Sequence, residues 1–300
     1  MKDIFNSYYD PIDMSCCVSD SESLENLQSK MVADKIYFPF YQKGYSLRDI
    51  LNHGNYETYS YRYGTLADNV LGVLFENKNG VQLKIGARVV KNVTGFDFTR
   101  FFTQNENEFG KIKKAILRLR PKPEIISKYI FIHHIENCDK LIRALLHSTW
   151  ATSLMGLDFV ADEKMNSVEI SVGGTPAEEE IIKLVLEDFA RKCDGTLFKK
   201  LEVETVPLQF SVQGNLLLSK NIRFGDYLIK KFGGQYKGLL GNGYFLYLPR
   251  NFEEFSKCES DINQEIKKIS GSIFWQGQKN PLENLADIRQ KLLLAMKEIR

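Results

Sequence analysis

Residues 62–73 read RYGTLADNVLGV, and this run decides the first half of the fold. Gly64 and Gly72 let the backbone turn tightly or pass close to another group, which a side chain would prevent. Asp68 can accept hydrogen bonds from backbone amides and hold a turn, or it can contact a ligand. Two apolar runs, 70–76 and 81–85, follow and are separated by the turn-forming residues 77–80, so a β-hairpin is predicted.

A second run, at residues 91–100, reads KNVTGFDFTR. Gly95 again permits a close backbone approach, Asp97 can hold a turn or contact a ligand, and Lys91 can pair with a phosphate or extend from a strand end. A helix is predicted over 96–102 and a strand over 110–120. One face of this strand is apolar from Lys113 onward and the other becomes basic toward Arg120, which favours a solvated face over a phosphate or nucleic-acid site.

Pro121 and Pro123 end that strand and predict a domain boundary at 121–124, with domains at 1–123 and 124–300. Beyond it, the pattern strand, helix, strand, strand, helix, strand occurs at 126–203 and again at 216–275. Two ferredoxin-like halves in one α+β domain are therefore predicted, followed by a helix at 285–299. Before residue 62, we expect a strand ending near Val18, helices at 23–31 and from Ser46, and an extended segment at 36–40.

The composition is that of a globular protein: of 300 residues, 43% are hydrophobic and 26% are charged, with a formal net charge of +2. No global field favours nucleic acid or an anionic membrane. No apolar run is long enough to cross a bilayer, and the N-terminus does not resemble a signal peptide, so a cytoplasmic location is expected. The five cysteines lack the spacing of a zinc site. Adjacent Cys16 and Cys17 are either reactive thiols or small buried side chains.

The two runs, in this order and followed by a strand and a P-x-P element, resemble the FAD-linked oxidases with a PCMH-type FAD domain. In that family the runs are R-Y-G-x-x-x-D-x-V-L-G-V and K-[ND]-V-[TA]-G-Y-D-L-x-[RK]. The compact C-terminal half and Asn92, where the alternative is Asp, favour the E-type subunit of bacterial glycolate oxidase over the D-type. The resemblance implies FAD as cofactor and these cofactor-binding residues: Arg62, Gly64, Asp68, Gly72, Lys91, Asn92, Gly95, Asp97 and Gly110.

The resemblance also implies the architecture: an α+β fold in which a PCMH-type FAD-binding domain, truncated at its N-terminus, is followed by a ferredoxin-like cap domain. Residues 1–18 contain no glycine-rich pyrophosphate loop. The family's C-terminal F-D-P-x-G-x-[LF]-N-P-G tail does not occur before Arg300. Both departures put the flavin contacts in doubt.

Two further family elements are altered. The second glycine pair of G-G-x-T-[LI]-G-G corresponds to Arg48 and Asp49. In the G-S-x-G-T-L-G loop, which corresponds to 104–110, Gln104 and Asn107 replace glycines and two carboxylates are added, Glu106 and Glu108. Side chains and negative charges in place of bare backbone amides disfavour a diphosphate, so weakened or lost FAD binding is expected.

The family oxidises 2-hydroxy acids, which requires a base, a cation for the carboxylate and a flavin that accepts the hydride. Isolated histidines are more often structural than catalytic, and the chain has four: His53, His133, His134 and His147. Arg62 is a weak candidate for a substrate or cofactor cation. No catalytic residue and no metal site are predicted.

Three functions remain open. The first is an accessory subunit with weakened or lost FAD binding, which docks on a D-type FAD subunit and an iron–sulfur subunit as in glycolate oxidase. The second is an active FAD-dependent 2-hydroxy-acid dehydrogenase or oxidase subunit. The third is a structural or regulatory domain without an oxidase partner. The chain alone is not expected to be catalytic.

Overall fold

A computed structural model describes residues 4–40, 43–53, 59–88, 98–104, 109–200 and 212–275. The chain divides into two compact units. Among the described residues, the first unit holds 4–53 and 63–122, and the second holds 59–62 and 123–275. The chain passes from one unit to the other between Lys122 and Pro123, within the predicted boundary, whereas the short segment 59–62 belongs to the second unit.

The first unit contains a five-stranded antiparallel sheet in the order β1-β2-β6-β4-β5. Its strands are β1 Tyr8–Asp10, β2 Ser15–Ser19, β4 Val70–Asn77, β5 Gln82–Gly86 and β6 Gly110–Arg118. A separate pair joins β3 Ile36–Tyr37 to β7 Arg120–Pro121. The helices are α1 Leu24–Met31, α2 Leu47–His53, α3 Ser60–Tyr63, whose last residue lies in this unit, and α4 Phe98–Gln104.

The predicted hairpin is confirmed as β4 and β5. Its turn is held by the Asn77 side chain, whose Oδ1 accepts from the backbone N–H groups of Asn79 and Val81 at 2.9 Å each. Gly80 completes the turn with φ at +80°, a value that glycine adopts without strain. The predicted strand at Val18 and the helices at 23–31 and from Ser46 are also present, as β2, α1 and α2.

The prediction of a solvated basic face on β6 is only partly right. The strand is the central one of its sheet, and Ile112 and Ile116, on the supposed basic face, are fully buried. A bulge between Leu74 and Phe75 of β4 shifts the register of the pairing. The alternating sequence pattern could not predict this burial. Ala115, Ile116 and Leu117 are consecutive and all buried, so both faces of the strand are covered there, and a bulge redirects side chains.

The second unit is an eight-stranded antiparallel sheet in the order β11-β8-β10-β9-β13-β14-β12-β15. Its strands are β8 Ile125–Ile132, β9 Leu154–Asp162, β10 Asn166–Gly174, β11 Leu197–Lys199, β12 Val212–Asn215, β13 Gln235–Leu239, β14 Tyr244–Leu248 and β15 Ser272–Trp275. Its helices are α5 Ile135–Leu146, α6 Pro176–Lys192, α7 Leu218–Phe232, α8 Phe252–Lys257 and α9 Glu259–Lys268.

The sheet order confirms the two ferredoxin-like halves. In the first half the strands lie in the order fourth, first, third, second, and the second half repeats this order in reverse. The halves join where β9 pairs with β13, so one sheet runs through both. The predicted α+β fold is confirmed.

The core of this unit lies between one sheet face and the helices. Leu157 and Phe159 of β9 are buried in the same cluster as Leu141 of α5, Leu186 of α6 and Leu228 of α7. Because strand side chains alternate, the intervening Asp158 lies on the opposite face of the sheet.

Two predictions for the second unit were wrong in detail. The strand expected at 216–218 lies earlier, as β12, because Leu216 is a buried residue just before α7 and not part of a strand. The single helix expected over 252–269 is broken at Cys258 into α8 and α9. The helix expected at 285–299 falls outside the described residues. Within the described part of the chain, the helices are all too short or too polar to span a membrane.

Candidate cofactor site

The centre of the first motif is a tight turn. Gly64 has φ at +74°, and a Cβ added there would lie 2.7 Å from Asp68 Oδ2. Asp68 Oδ2 accepts from the Thr65 N–H and hydroxyl at 2.8 Å each, while Asp68 N–H donates to Thr65 Oγ1 at 3.4 Å. This reciprocal capping box starts the 3-10 turn Leu66–Asn69 and satisfies amides that the turn leaves unpaired. Asp68 therefore has a structural role, the first of the two predicted for it.

The Asp68 carboxylate also forms an ion pair with Arg100, at 2.5 Å between Oδ1 and Nη2. Arg100 lies on α4 and is the last residue of the second motif. The two motifs thus meet through this ion pair. Both Asp68 oxygens are engaged within the chain.

A second network beside this turn was not predicted. Asn69 is fully buried, and its Nδ2 donates to the carbonyls of Tyr63 at 2.7 Å and Thr65 at 2.9 Å. Arg120 Nη2 donates to Asn69 Oδ1 at 2.8 Å and its guanidinium lies 5.5 Å from the Tyr63 ring centre. The hydroxyl of Tyr37 donates to that of Tyr63 at 2.9 Å. The sequence signal for Asn69 was a polar residue directly before an apolar strand, but its partner Arg120 is 51 positions away.

Gly72 and Gly110 serve the packing of the sheet. A Cβ on Gly72 would lie 2.9 Å from the carbonyl oxygen of Ile85, and one on Gly110 would lie 2.1 Å from that of Glu76. Real Cβ atoms do not approach oxygen so closely, so both positions require glycine for contacts within the protein.

Arg62 lies in the second unit. There, hydrogen bonds with Thr175 lower the pKa of Glu178, and the positive charge of Arg62 makes a smaller contribution in the same direction.

The two charged residues that replace a glycine pair have partners within the chain. Arg48 Nε donates to Asp20 Oδ2 at 2.8 Å, Nη2 contacts the same oxygen, and Asp20 is buried. Asp49 Oδ2 accepts from the N–H and the hydroxyl of Ser46 at 2.7 Å each, which caps the start of α2. Arg48 therefore anchors α2 to the residue after β2.

The remaining predicted cofactor residues lie outside the described residues: Lys91, Asn92, Gly95 and Asp97. The same is true of Glu106, Asn107, Glu108 and the side chain of Gln104. Nothing structural is assigned to them.

Three of the basic residues in β6 and β7 have separate partners. Lys113 Nζ lies 3.9 Å from Glu76 Oε1, Lys114 donates to the Phe5 carbonyl at 3.1 Å, and Arg120 contacts Asn69 as described. They do not converge on one point, so no phosphate site is built from them.

The cysteine and histidine candidates have structural surroundings. Cys16 and Cys17 are fully buried, and burial raises the pKa of the Cys16 thiol to about 12. Both observations favour small buried side chains over reactive thiols. His133 Nε2 lies 3.0 Å from the Asp194 carbonyl, and its Nδ1 accepts from the His134 N–H at 2.8 Å. Across the described residues, histidine, cysteine and carboxylate side chains nowhere gather in a group able to hold a metal ion.

The described motif residues do not form an open cradle for a diphosphate. At Gly64, Gly72 and Gly110, the space that a side chain would take is filled by the chain itself. A dinucleotide site needs backbone amides that face an empty groove. Contacts within the chain are therefore enough to explain these three glycines, and their geometry gives no sign of a flavin site.

The chain resembles known proteins in sequence over a short span and in fold over nearly its whole length. It is 36% identical over 78 residues to glycolate oxidase subunit GlcD of Bacillus subtilis (strain 168), which is 26% of this chain and 16% of that protein. It is 36% identical over 63 residues to the mitochondrial D-lactate dehydrogenase [cytochrome] of Arabidopsis thaliana, 21% of this chain and 11% of that protein. The match thus spans less than a fifth of either relative. No family model matches the chain.

Two crystal structures of alkyldihydroxyacetonephosphate synthase share the fold. Their TM-scores are 0.62 and 0.63 at 11% and 12% sequence identity, with 98% of this chain and 65% of each synthase chain covered. The fold is that of the oxidases with a PCMH-type FAD domain. Together with the sequence matches, it shows that the chain resembles the FAD-linked oxidases.

Proposed function

We propose that the chain is an accessory component of a glycolate-oxidase-like complex, similar to the E-type subunit of glycolate oxidase, and that its FAD binding is weakened or lost. The observation that carries the proposal is that a Cβ added at Gly64, Gly72 or Gly110 would meet atoms of the chain itself, although these glycines were predicted to contact a cofactor. Arg48 and Asp49 support it, because both are committed to Asp20 and Ser46.

The proposed partners are a D-type FAD subunit and an iron–sulfur subunit. The sequence match to GlcD, which is named a subunit of glycolate oxidase, supports this choice. A cytoplasmic location is part of the proposal and rests on the sequence analysis. Any hydride transfer would occur on the flavin of the partner, and this chain would contribute binding surface.

A second candidate is an active FAD-dependent 2-hydroxy-acid dehydrogenase or oxidase subunit. The observation that favours it is that the match extends to two enzymes, one of them named a D-lactate dehydrogenase. This candidate requires that FAD be held by residues other than the three glycines described.

Flavin binding separates the two candidates. The purified chain is titrated with FAD while flavin fluorescence and absorbance are recorded, first alone and then with a D-type subunit. We expect no binding to the chain alone and a stable complex with the D-type subunit. A yellow protein after purification of the chain alone would support the second candidate. Failure to associate with any D-type or iron–sulfur subunit would instead indicate a structural or regulatory domain without an oxidase partner.

A further inference from the structure

The helix α6 of the second unit carries apolar residues on two opposite faces. Its inner face contributes Ile182, Leu186 and Ala190 to the core. Ile181 and Leu184 lie on the outer face and are 50% and 62% exposed. A surface helix of a globular protein normally has one apolar face and a polar outer face. The outer face of α6 departs from this rule.

The other long helices of the second unit follow the rule. Every exposed residue of α5, α7 and α9 is polar or charged. Among these four helices, only α6 exposes large aliphatic side chains, and the two lie three positions apart, so they are neighbours on the helix surface. Ala177 is exposed as well and extends the stripe at the spacing of four and three residues that paired helices use. The stripe is therefore suited to pack against another helix.

The charges of α6 are separated along its length. Glu178 and Glu180 are exposed near its start, and Arg191 and Lys192 are exposed at its end. Asp188 pairs with both basic groups, at 2.6 Å and 2.7 Å, which leaves one positive charge at that end. One end of the stripe is thus acidic and the other is basic.

A second copy of the same helix, placed antiparallel, matches both features. A two-fold axis beside Leu184 brings the Leu184 side chains of the two copies together and sets the acidic end of each helix opposite the basic end of the other. Between the ends, Lys183 and Glu187 lie 3.8 Å apart and balance each other within the helix. A different partner would need the same apolar spacing and the reverse order of charge, whereas the chain itself supplies both.

We propose that the outer face of α6 is an interface between two copies of this chain, which pair antiparallel through Ile181 and Leu184. The contact involves one helix face from each copy and is small, so association in the micromolar range is expected. The interface does not depend on the oxidase partners, because it forms between isolated chains.

Analytical ultracentrifugation of the full chain tests the interface over about 1–100 µM, the range of weak association. The mass of the wild type is expected to rise with concentration from one chain toward two. Leu184→Glu should weaken association at least about tenfold, because each dimer would bury unpaired carboxylates. Leu217→Glu is the matched control, since Leu217 is 58% exposed, lies outside α6 and should leave association unchanged.

An exchange of charges tests the antiparallel orientation. Glu180→Lys should weaken association because two basic groups then face each other. Adding Arg191→Glu should restore it, since opposite charges face each other again. Association of the wild type should also fall as salt is raised, because exposed charges are screened. Both positions are exposed, and circular dichroism confirms that each variant is folded.

The proposal is overturned if the wild type stays monomeric at about 100 µM. Equal association of the wild type and Leu184→Glu would place the interface elsewhere, and an equal loss in Leu217→Glu would show non-specific adhesion. Failure of the double charge variant to regain association would contradict the antiparallel arrangement. If Leu184→Glu does not fold, Ile181→Glu provides a second variant with the same expected loss.

Discussion

The carboxylate of Asp68 occupies the space in which a side chain on Gly64 would begin, since a Cβ there would lie 2.7 Å from Asp68 Oδ2. That oxygen cannot easily move away because Thr65 holds it with two hydrogen bonds. The sequence suggested Gly64 as a cofactor contact, but glycine is required there because of Asp68, four positions later.

Gly64→Ala should destabilise the protein more than Gly80→Ala. Both glycines have positive φ, +74° and +80°, but a Cβ on Gly80 would meet nothing within 4 Å. The backbone conformation alone costs about 1 kcal/mol in each variant, and the contact with Asp68 adds about 1 kcal/mol more at position 64. Urea unfolding followed by circular dichroism measures both, and equal losses would contradict the role given to Asp68.

Asp68→Ala should lower the free energy of unfolding by about 1 kcal/mol, because the capping box of the turn Leu66–Asn69 is lost. Asp68→Asn retains an acceptor oxygen and should lose less. Chemical denaturation of the two variants is compared under identical conditions. A loss in Asp68→Asn as large as in Asp68→Ala would show that the ion pair with Arg100, and not the cap, is what matters.

The lowered pKa of Glu179 predicts that the stability of the protein depends on pH in the acid range. Hydrogen bonds from the Tyr129 hydroxyl, at 2.5 Å, and from Lys199, at 3.0 Å, lower the pKa of Glu179 to about 2. Because the folded pKa is depressed, the stabilisation is complete above the ordinary value of 4.5 and is lost as pH falls from there toward 2. Thermal unfolding between pH 6 and pH 2 should therefore show a steeper loss for the wild type than for Glu179→Gln.

Tyr129→Phe serves as the companion to that experiment. It removes the largest cause of the lowered pKa and leaves the carboxylate in place. Its pH profile should lie between those of the wild type and Glu179→Gln. Identical profiles for the wild type and Tyr129→Phe would disprove the assigned hydrogen bond.

Arg48→Gly, which restores the glycine of the family pattern, should destabilise the chain by about 2 kcal/mol, because Asp20 would remain buried without its partner. The same substitution in an Asp20→Asn background should cost much less, since no charge is then left unpaired. Urea unfolding of the four proteins gives the coupling energy. A coupling near zero would indicate that Arg48 contributes only as an exposed side chain.

Much of the second unit could be predicted from the sequence because its information is local. The alternation of strand and helix patterns from 126 onward specifies the ferredoxin-like order without reference to distant residues. The exception is β12, whose residues VQGN alternate without large apolar side chains on either face. The strand was instead predicted in the apolar run that follows β12 and begins at Leu216.

The candidate site was harder to predict because its interactions are long-range. Arg120 reaches Asn69 across 51 positions, and Arg48 reaches Asp20 across 28. A sequence motif identifies candidate residues such as Gly72 and Gly110. The contacts of these glycines, however, depend on how β4 pairs with its neighbouring strands. In the second unit, the ion pair of Asp158 with Lys237 likewise forms only where the two ferredoxin-like halves join.

The pairing of β9 with β13 sets how the second unit can be divided experimentally. All five residues of β13, Gln235–Leu239, pair one to one with residues of β9. Separating the halves would uncover two rows of unpaired amide and carbonyl groups, the kind of edge that recruits other strands. Each half, produced by itself, should therefore self-associate, and mixing the two should restore a single soluble particle.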